Sequence, residues 1–513
     1  MIAQLSYGQQ PAPHQNGRLI RLHSIYSRSP DLETFLNQFL RHLVTDLGCR
    51  FGVVVLWDRS RPETGARIQA LDVRDEVIGE LTSSLNTIGG KAGGGPDLNS
   101  IVRFCDSLKA IFSCRTGADP RSDGEHRLLF LPVLRFDAVD AVVLLGVSQN
   151  QGLNDEYCDL IKALVLEMHR LADRLQFSEW SRSKGYNLRP IGSSNSLRDV
   201  ERLAVRFAAS KCPVLITGEP GTGKELIAHS IHFHSPRRNK PFVIVNCGAF
   251  TSDSLLASEM FGHVKGAFTD ARTDRKGQFE LADGGTLFLD EVACMSPAMQ
   301  IALLRALRYG EIQKVGDGST SRRIDVRIVA ACNEDLTSRV KGGSFREDMY
   351  SRLSVAHLTV PPLRERPEDI SLLADYFLTK ISQESNGPLK TLTAPALSQL
   401  LSWSWPDNIA GLENALRYAY LVSGDDIQTS DLPGNVGQST AKPVQVLQKG
   451  RSAVTQTTKP LARAISEFEC SYIAQALKEH AGNISATARA LGISRQGLQK
   501  KISRYKQADG TGE

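Results

Sequence analysis

The 513-residue chain contains no run approaching the roughly 18 to 20 consecutive apolar residues that a membrane span requires. Its richest apolar stretches, 51–57 and 141–147, are short enough to be buried strands. It also lacks any C-x-x-C pair: nine cysteines, an odd number, are scattered singly between Cys49 and Cys470. That usage suits reduced, buried thiols better than a disulfide framework or a zinc site. The opening residues, MIAQLSYGQQPAPHQNG, have neither a basic n-region nor an apolar h-region, so a cytoplasmic protein with no membrane association is expected. There is no internal repeat, no haem or iron constellation, and no acidic cluster with a downstream lysine of the phospho-receiver kind.

At this length about three domains are expected, and 41% hydrophobic with 23% charged residues lies within the globular range. The net charge of +5 is too small to specify a partner, but it is unevenly placed. From Val446 onward eleven Lys and Arg face five Asp and Glu, so the tail carries the whole excess. Composition divides the chain into 1–177, a polar linker 178–190, an alternating block 191–432, a Pro/Gly/Ser/Thr/Gln-rich linker 433–460 and a helix-patterned block 461–506. The first block runs from an amphipathic helix pattern (LETFLNQFLRHLVTDL) through strand-like FGVVVLW, LLFLPVL and AVVLLGV to a long helix pattern, predicting an α+β or α/β domain. Its loop IGGKAGGGP, 88–96, lacks the strand-to-helix setting of a phosphate site and reads as surface. In the second block CPVLITG, PFVIVNC, GGTLFLDE and VRIVAACN alternate with helix patterns, predicting a parallel sheet flanked by helices, followed by a small helical subdomain.

The chemistry begins at G-x-x-x-x-G-K, residues Gly218, Glu219, Pro220, Gly221, Thr222, Gly223 and Lys224, between an apolar strand and an amphipathic helix. Glycines let backbone N–H groups curl around phosphate oxygens, the helix presents its positive end, and Lys224 reaches the β and γ oxygens. Glu225 stands where the strict pattern has Ser or Thr. GGTLFLDE ends a strand on Asp290 and Glu291, two carboxylates at the carboxyl edge of the sheet: one to hold Mg²⁺, the other to orient water for in-line attack. Three histidines, His229, His232 and His234, follow the loop, too few at helical spacing for a metal site.

Together these residues resemble the AAA+ bacterial enhancer-binding proteins, the NtrC-type activators of sigma-54 RNA polymerase, from about 191 to 432. The resemblance makes GEPGTGKE a Walker A loop in which Glu225 is the usual residue, and it implies ATP and Mg²⁺ as cofactors. It gives Mg²⁺ to Asp290 and water activation to Glu291, and identifies Asn246 as the residue that pairs with that glutamate. Asn333 falls at the sensor I position, and Arg346 and Arg352 match two arginines that act in trans in a hexameric ring. FGHVKGAFTDA resembles the family's GAFTGA loop, making Gly266, Ala267, Phe268, Thr269, Asp270 and Ala271 the sigma-factor contact. The first block is similar in pattern to a GAF sensory domain, which implies an unidentified small-molecule signal.

Two departures stand out. Asp270 replaces the loop's second glycine, adding charge and removing a residue that tolerates positive φ. In WSWPDNIAGLENA, similar to the family's W-P-G-N-V-R-E-L segment, Ala410 stands at the sensor II arginine, with Asn414 and Arg417 further along the helix. Measurable but weakened ATP hydrolysis is therefore expected. The tail NISATARALGISRQGLQKKISRY has helix-turn-helix spacing with no acid and resembles the family's Fis-type DNA reader. Arg495, Gln496 and Gln499 are placed for base contact, Lys500, Lys501 and Arg504 for the phosphate backbone, and the preceding helix pattern for dimerisation.

The whole is a multidomain α/β chain: an α+β sensor, a P-loop ATPase with helical subdomain, and an all-α DNA reader. Its expected partners are DNA, sigma-54 holoenzyme and copies of itself, from dimer to hexamer. A DNA-binding regulator whose ATPase fold is degenerate is the alternative, and an AAA+ protease or clamp loader fits the loop and tail less well. Replacing Arg495 with alanine is expected to relax sequence preference more than it changes the salt dependence of binding. Titrations on operator and random DNA at several salt concentrations check this, and equal weakening on every sequence would contradict it.

Overall fold

The computed structural model describes residues 5–6, 16–57, 66–73, 78, 126–135, 138–148, 155–250, 252–268, 271–318, 321–434, 436, 484, 487–488 and 498. Two compact units result, Met1–Ser439 and Thr440–Glu513. In the second, Thr487, Ala488 and Leu498 are buried. The proposed DNA contacts Arg495, Gln496, Gln499, Lys500, Lys501 and Arg504, the dimerisation helix and the 88–96 loop lie outside the described residues.

The N-terminal part is a five-stranded sheet in the order β1-β4-β5-β2-β3, formed by Leu5–Ser6 (β1), Cys49–Trp57 (β2), Ala66–Leu71 (β3), His126–Arg135 (β4) and Ala138–Ser148 (β5). Helices α1 (Asn16–Arg28), α2 (Leu32–Leu47) and α3 (Asp155–Ser183) accompany it. Helix α2 begins where Asp31 accepts the Thr34 N–H at 2.8 Å and ends at Gly48, whose φ of 69° suits a left-handed cap. Its Phe35, Leu36, Phe39, Leu40 and Leu43, spaced at three and four residues, bury one apolar face. Strand β3 and helix α1 went unread in the sequence because ARIQAL alternates with polar residues and NGRLIRLHSIYSR is half charged or polar.

The second part is a parallel sheet in the order β14-β6-β13-β10-β7, from Val214–Thr217 (β6), Phe242–Asn246 (β7), Thr286–Asp290 (β10), Arg327–Cys332 (β13) and Ala356–Thr359 (β14). Four of these are the strands expected; β14, an edge strand of alternating burial, gave no apolar run. Helices α4 (Asn195–Ala208), α5 (Lys224–Phe233), α6 (Asp253–Phe261), α7 (Gln278–Leu281), α8 (Pro297–Tyr309), α9 (Leu336–Lys341) and α10 (Glu347–Leu353) surround it. Two small antiparallel pairs, β8 (Gly262–His263) with β9 (Arg275–Lys276) and β11 (Glu311–Gln313) with β12 (Ser321–Arg323), stand beside it. The helical subdomain holds α11 (Glu368–Ser385), α12 (Ala394–Ser402) and α13 (Asn408–Val422), with β15 (Thr391–Leu392) pairing β16 (Asp426–Ile427).

The segment 178–190 is not the open linker its polar composition suggested. Helix α3 continues to Ser183, because Phe177 and Trp180 bury their rings against Phe233 of α5. On the same helix Glu167, Arg170 and Arg174 are buried: Arg170 and His23 reach Glu167, and Arg174 donates to Glu201 at 2.7 Å and to Gly192 O at 2.7 Å. These carboxylates and guanidiniums bury well only as partners, so the exit helix of the N-terminal part is keyed into α4. Among the described residues no helix is long and apolar enough to cross a membrane.

The three histidines of α5 and its end do not converge. His232 hydrogen-bonds Thr286 Oγ1 at 2.9 Å, His234 pairs with Asp173 at 2.9 Å, and His229 packs against Tyr186 and Phe242. Burial pushes His232 down to about 4, whereas an exposed imidazole titrates near 6.5. Between those values the unfolded chain binds the extra proton, so stability is lost as pH falls from about 6.5 to about 4, by up to roughly 3 kcal/mol. Urea unfolding across that range is expected to show a shallower loss for His232→Gln than for the natural protein; equal loss in both would contradict it.

Candidate functional site

Strand β6 hands the chain to a loop that only glycine can build. Gly218, Gly221 and Gly223 have φ of 157°, 72° and 98°. A Cβ on Gly221 would strike the carbonyl of Asp407, and one on Gly218 would lie 2.8 Å from Val360 O. Thr222 Oγ1 donates to Glu219 O at 2.8 Å, and Lys224 Nζ donates to Gly218 O and Glu219 O at 2.9 Å each, holding the loop curled. Lys224 then starts α5, which points its positive end into the curl.

Parallel pairing of β6, β13, β10 and β7 brings the other groups to the same edge. Asp290 is in register with Asn246, and Cys332, one residue before Asn333, with Thr217. The Asp290 carboxylate accepts the Glu291 N–H at 2.9 Å, and burial pushes its pKa up while that N–H and Lys224 oppose the rise. Burial pushes the Lys224 ammonium down, opposed by Asp290. Both charges are thus partly desolvated without being directly paired, the condition in which a phosphate and a cation are welcome. Glu291 adopts φ 53°, a left-handed backbone uncommon for this residue, and its Oε1 accepts Asn333 Nδ2 at 3.3 Å. Asn246, expected to hold Glu291, instead accepts the Gly248 N–H at 2.8 Å, closing a local turn beside the same carboxylate.

The cavity over these groups holds about 490 Å³ and runs from Gly221–Lys224, Asp290, Glu291 and Asn333 to Leu373, Tyr376 and Phe377 of α11. Its lining joins the charged groups at the loop, Lys224, Asp290 and Glu291, to apolar and aromatic Leu373, Tyr376 and Phe377, with the Lys380–Glu413 ion pair (3.0 Å) beside Phe377. Glu225 is exposed on α5 and, with Pro220, also lines it. Ala410 lines it too, with its methyl 3.2 Å from the Cβ position of Gly221. Arg417 offers no substitute: it pairs with Glu384 at 3.0 Å and Glu413 at 3.3 Å, and Asn414 is exposed.

Arg346 and Arg352 are exposed at α10 and do not line the cavity of their own chain; Arg346 forks onto Asp348 at 2.8 and 2.9 Å. The 266–271 loop is borne by the β8–β9 pair. Gly266 N donates to Ala271 O and Ala271 N to Phe268 O, both at 2.9 Å, while Gly316 packs tightly on Ala267. Phe268 is partly exposed, its ring edge-on to His263 at 4.9 Å. Thr269 and Asp270 lie outside the described residues.

Residues with weaker signals complete the site. Asn408, fully buried with φ 51°, donates to Pro220 O at 2.9 Å and accepts Leu363 N–H at 2.7 Å, tying the phosphate loop to both arms of the helical subdomain. Arg364 forks onto Glu219 at 2.6 and 2.8 Å, and buried Arg366 donates to Thr222 O at 3.0 Å. Nothing in the spacing of LRERPED marks these two arginines; Asn408 sits in the W-P-D-N run already singled out.

The chain matches the family model described as "Sigma-54 interaction domain" over residues 190–359, "AAA+ ATPase lid domain" over 364–448 and "Bacterial regulatory protein, Fis family" over 464–505. It is 37% identical to the Nif-specific regulatory protein of Azotobacter vinelandii, over 86% of this chain and 88% of that one. It is 33% identical to nitrogen fixation protein VnfA of the same organism, over 95% and 94%. With nitrogen fixation protein AnfA it shares 41% identity over 65% of this chain, spanning 60% of the relative's length.

Asn408→Ala removes these two bonds and a third, from its amide to Glu219 Oε2 at 3.2 Å, and leaves a side chain strained at positive φ. A loss of about 2 to 4 kcal/mol is expected in chemical unfolding of the natural and altered chains, and a loss below about 0.5 kcal/mol would contradict it.

Proposed function

The chain belongs to the sigma-54-dependent transcriptional activators that bind DNA through a Fis-type helix-turn-helix, and on that premise we propose that it is a working ATP-driven motor. The observation that carries this is the assembly of Lys224, Asp290, Glu291 and Asn333 at one sheet edge under a helical lid. Residues 218–224 grip the triphosphate, and Lys224 turns from its loop carbonyls to the β and γ oxygens. Mg²⁺, held at Asp290, would neutralise charge on those oxygens when bound. Glu291 orients the attacking water, with its carboxylate steered by Asn333 and released or taken over by Asn246. Arg346 and Arg352, unneeded by their own cavity, serve the neighbour's site in a hexameric ring. The 266–271 loop presents Phe268 and Thr269 to the sigma factor, and turnover moves it.

The tail holds the chain at upstream DNA, with Arg495, Gln496 and Gln499 reading bases and Lys500, Lys501 and Arg504 neutralising phosphates. The N-terminal α+β domain is GAF-like and answers to a small molecule. A second reading, that the ATPase domain binds nucleotide without driving the polymerase, is favoured by Ala410, whose missing arginine Arg417 does not replace because it is engaged elsewhere.

Promoter opening by sigma-54 holoenzyme, followed by base reactivity of the melted strand, separates the two. Opening with the natural chain and ATP is expected, and Lys224→Ala and Glu291→Gln should lower it at least about a hundredfold. Equal opening by all three chains, or by none, would defeat the motor.

A further inference from the structure

One stretch of chain, Asn187, Leu188, Arg189, Pro190 and Ile191, contributes a wall to the cavity. The ATPase domain does not hold that wall alone. Tyr26, near the C-terminal end of α1, is 1% exposed and donates its hydroxyl to Pro190 O at 2.6 Å. Arg189 answers in the other direction. Its guanidinium lies 4.9 Å from the centroid of the Tyr26 ring and donates to Tyr26 O, and to Ser29 O at 2.7 Å. Carbonyls at the end of a helix lack intrahelical partners and carry the negative end of its dipole, so a cation is well placed there. Helix α1 also packs on α11, the helix whose Leu373, Tyr376 and Phe377 form the facing wall.

We propose that Tyr26 is a positioning residue of the nucleotide site. The N-terminal domain, none of whose described residues lines the cavity, sets the wall against which the purine base rests. With phosphates at the glycine loop, the apolar and aromatic part of the lining, Leu188, Pro190, Ile191, Leu373, Tyr376 and Phe377, is where a base is buried. Deleting the Tyr26 hydroxyl leaves the Pro190 carbonyl without its buried donor and loosens the wall. Arg189 then keeps its carbonyl partners only as far as α1 stays docked. Nucleotide affinity becomes a readout of domain docking, and by linkage nucleotide strengthens that docking to the same extent.

This rests on the cavity being the nucleotide site. The full-length chain and Tyr26→Phe are titrated with a fluorescent ADP, and ATP hydrolysis is followed for KM and kcat. Phenylalanine keeps the ring that packs edge-on against Phe35 at 6.2 Å, so the variant retains its packing. The expected result is a Kd and a KM raised about three- to tenfold, the worth of one buried hydrogen bond, with kcat unchanged. As a second readout, saturating ADP should raise the melting temperature of the natural chain more than that of Tyr26→Phe at the same concentration. A merely structural tyrosine would lower both melting temperatures alike and leave Kd where it was. Equal Kd values in the two chains overturn this inference alone, whereas no nucleotide binding by the natural chain overturns it together with the reading of the cavity.

Discussion

No side chain fits between the phosphate loop and the start of α13. The carbonyl of Asp407 occupies the space a Cβ on Gly221 would need, and Asn408 uses the closeness to bond Pro220 and Leu363 at once. Everything else at the site depends on that approach. It brings the helical subdomain down onto the loop, places Ala410 against Gly221 in the lining, and closes the roof of a 490 Å³ cavity. A residue of ordinary size at 221 would lift the lid and leave the sheet edge in water, where Asp290 and Lys224 would regain their solvation and lose their pull on a charged ligand.

Most of the sheet edge that lines the cavity was legible because its motifs are local. The strand, loop and helix around Lys224 and the strand ending in Asp290 and Glu291 carry their roles in a few consecutive residues, and parallel pairing then has little freedom in bringing them together. What escaped was non-local. Tyr26 and Pro190 are 164 residues apart, and a tyrosine in a half-polar helix gives no sign of the backbone carbonyl it meets. Arg364 and Glu219 are likewise joined only by folding. The polar spelling SEWSRS hid a helix, since its few aromatic contacts outweigh its many hydrophilic letters: Trp180 is almost wholly buried.

Two residues named from the motifs stand differently from the expectation. Asn246 bonds its own turn while Asn333 holds Glu291, so the glutamate is partnered from the side of β13 rather than β7. Both amides flank one carboxylate, carried on the left-handed backbone of Glu291. Arg417 is drawn away from the cavity by Glu384 and Glu413, so the charge missing at Ala410 is not restored from its own helix.

Helix α3 runs for 29 residues without a glycine or proline, from its packing in the N-terminal part to its seat on α5. At 1.5 Å per residue it is a rod of about 43 Å. A rod stores little bend and has no joint at which a movement can be absorbed. A tilt of about 5° at one end therefore displaces the other by about 4 Å. The half of the helix that packs in the first domain and the half seated on α4 through Arg170 and Arg174 and on α5 through Phe177 and Trp180 therefore shift as one body.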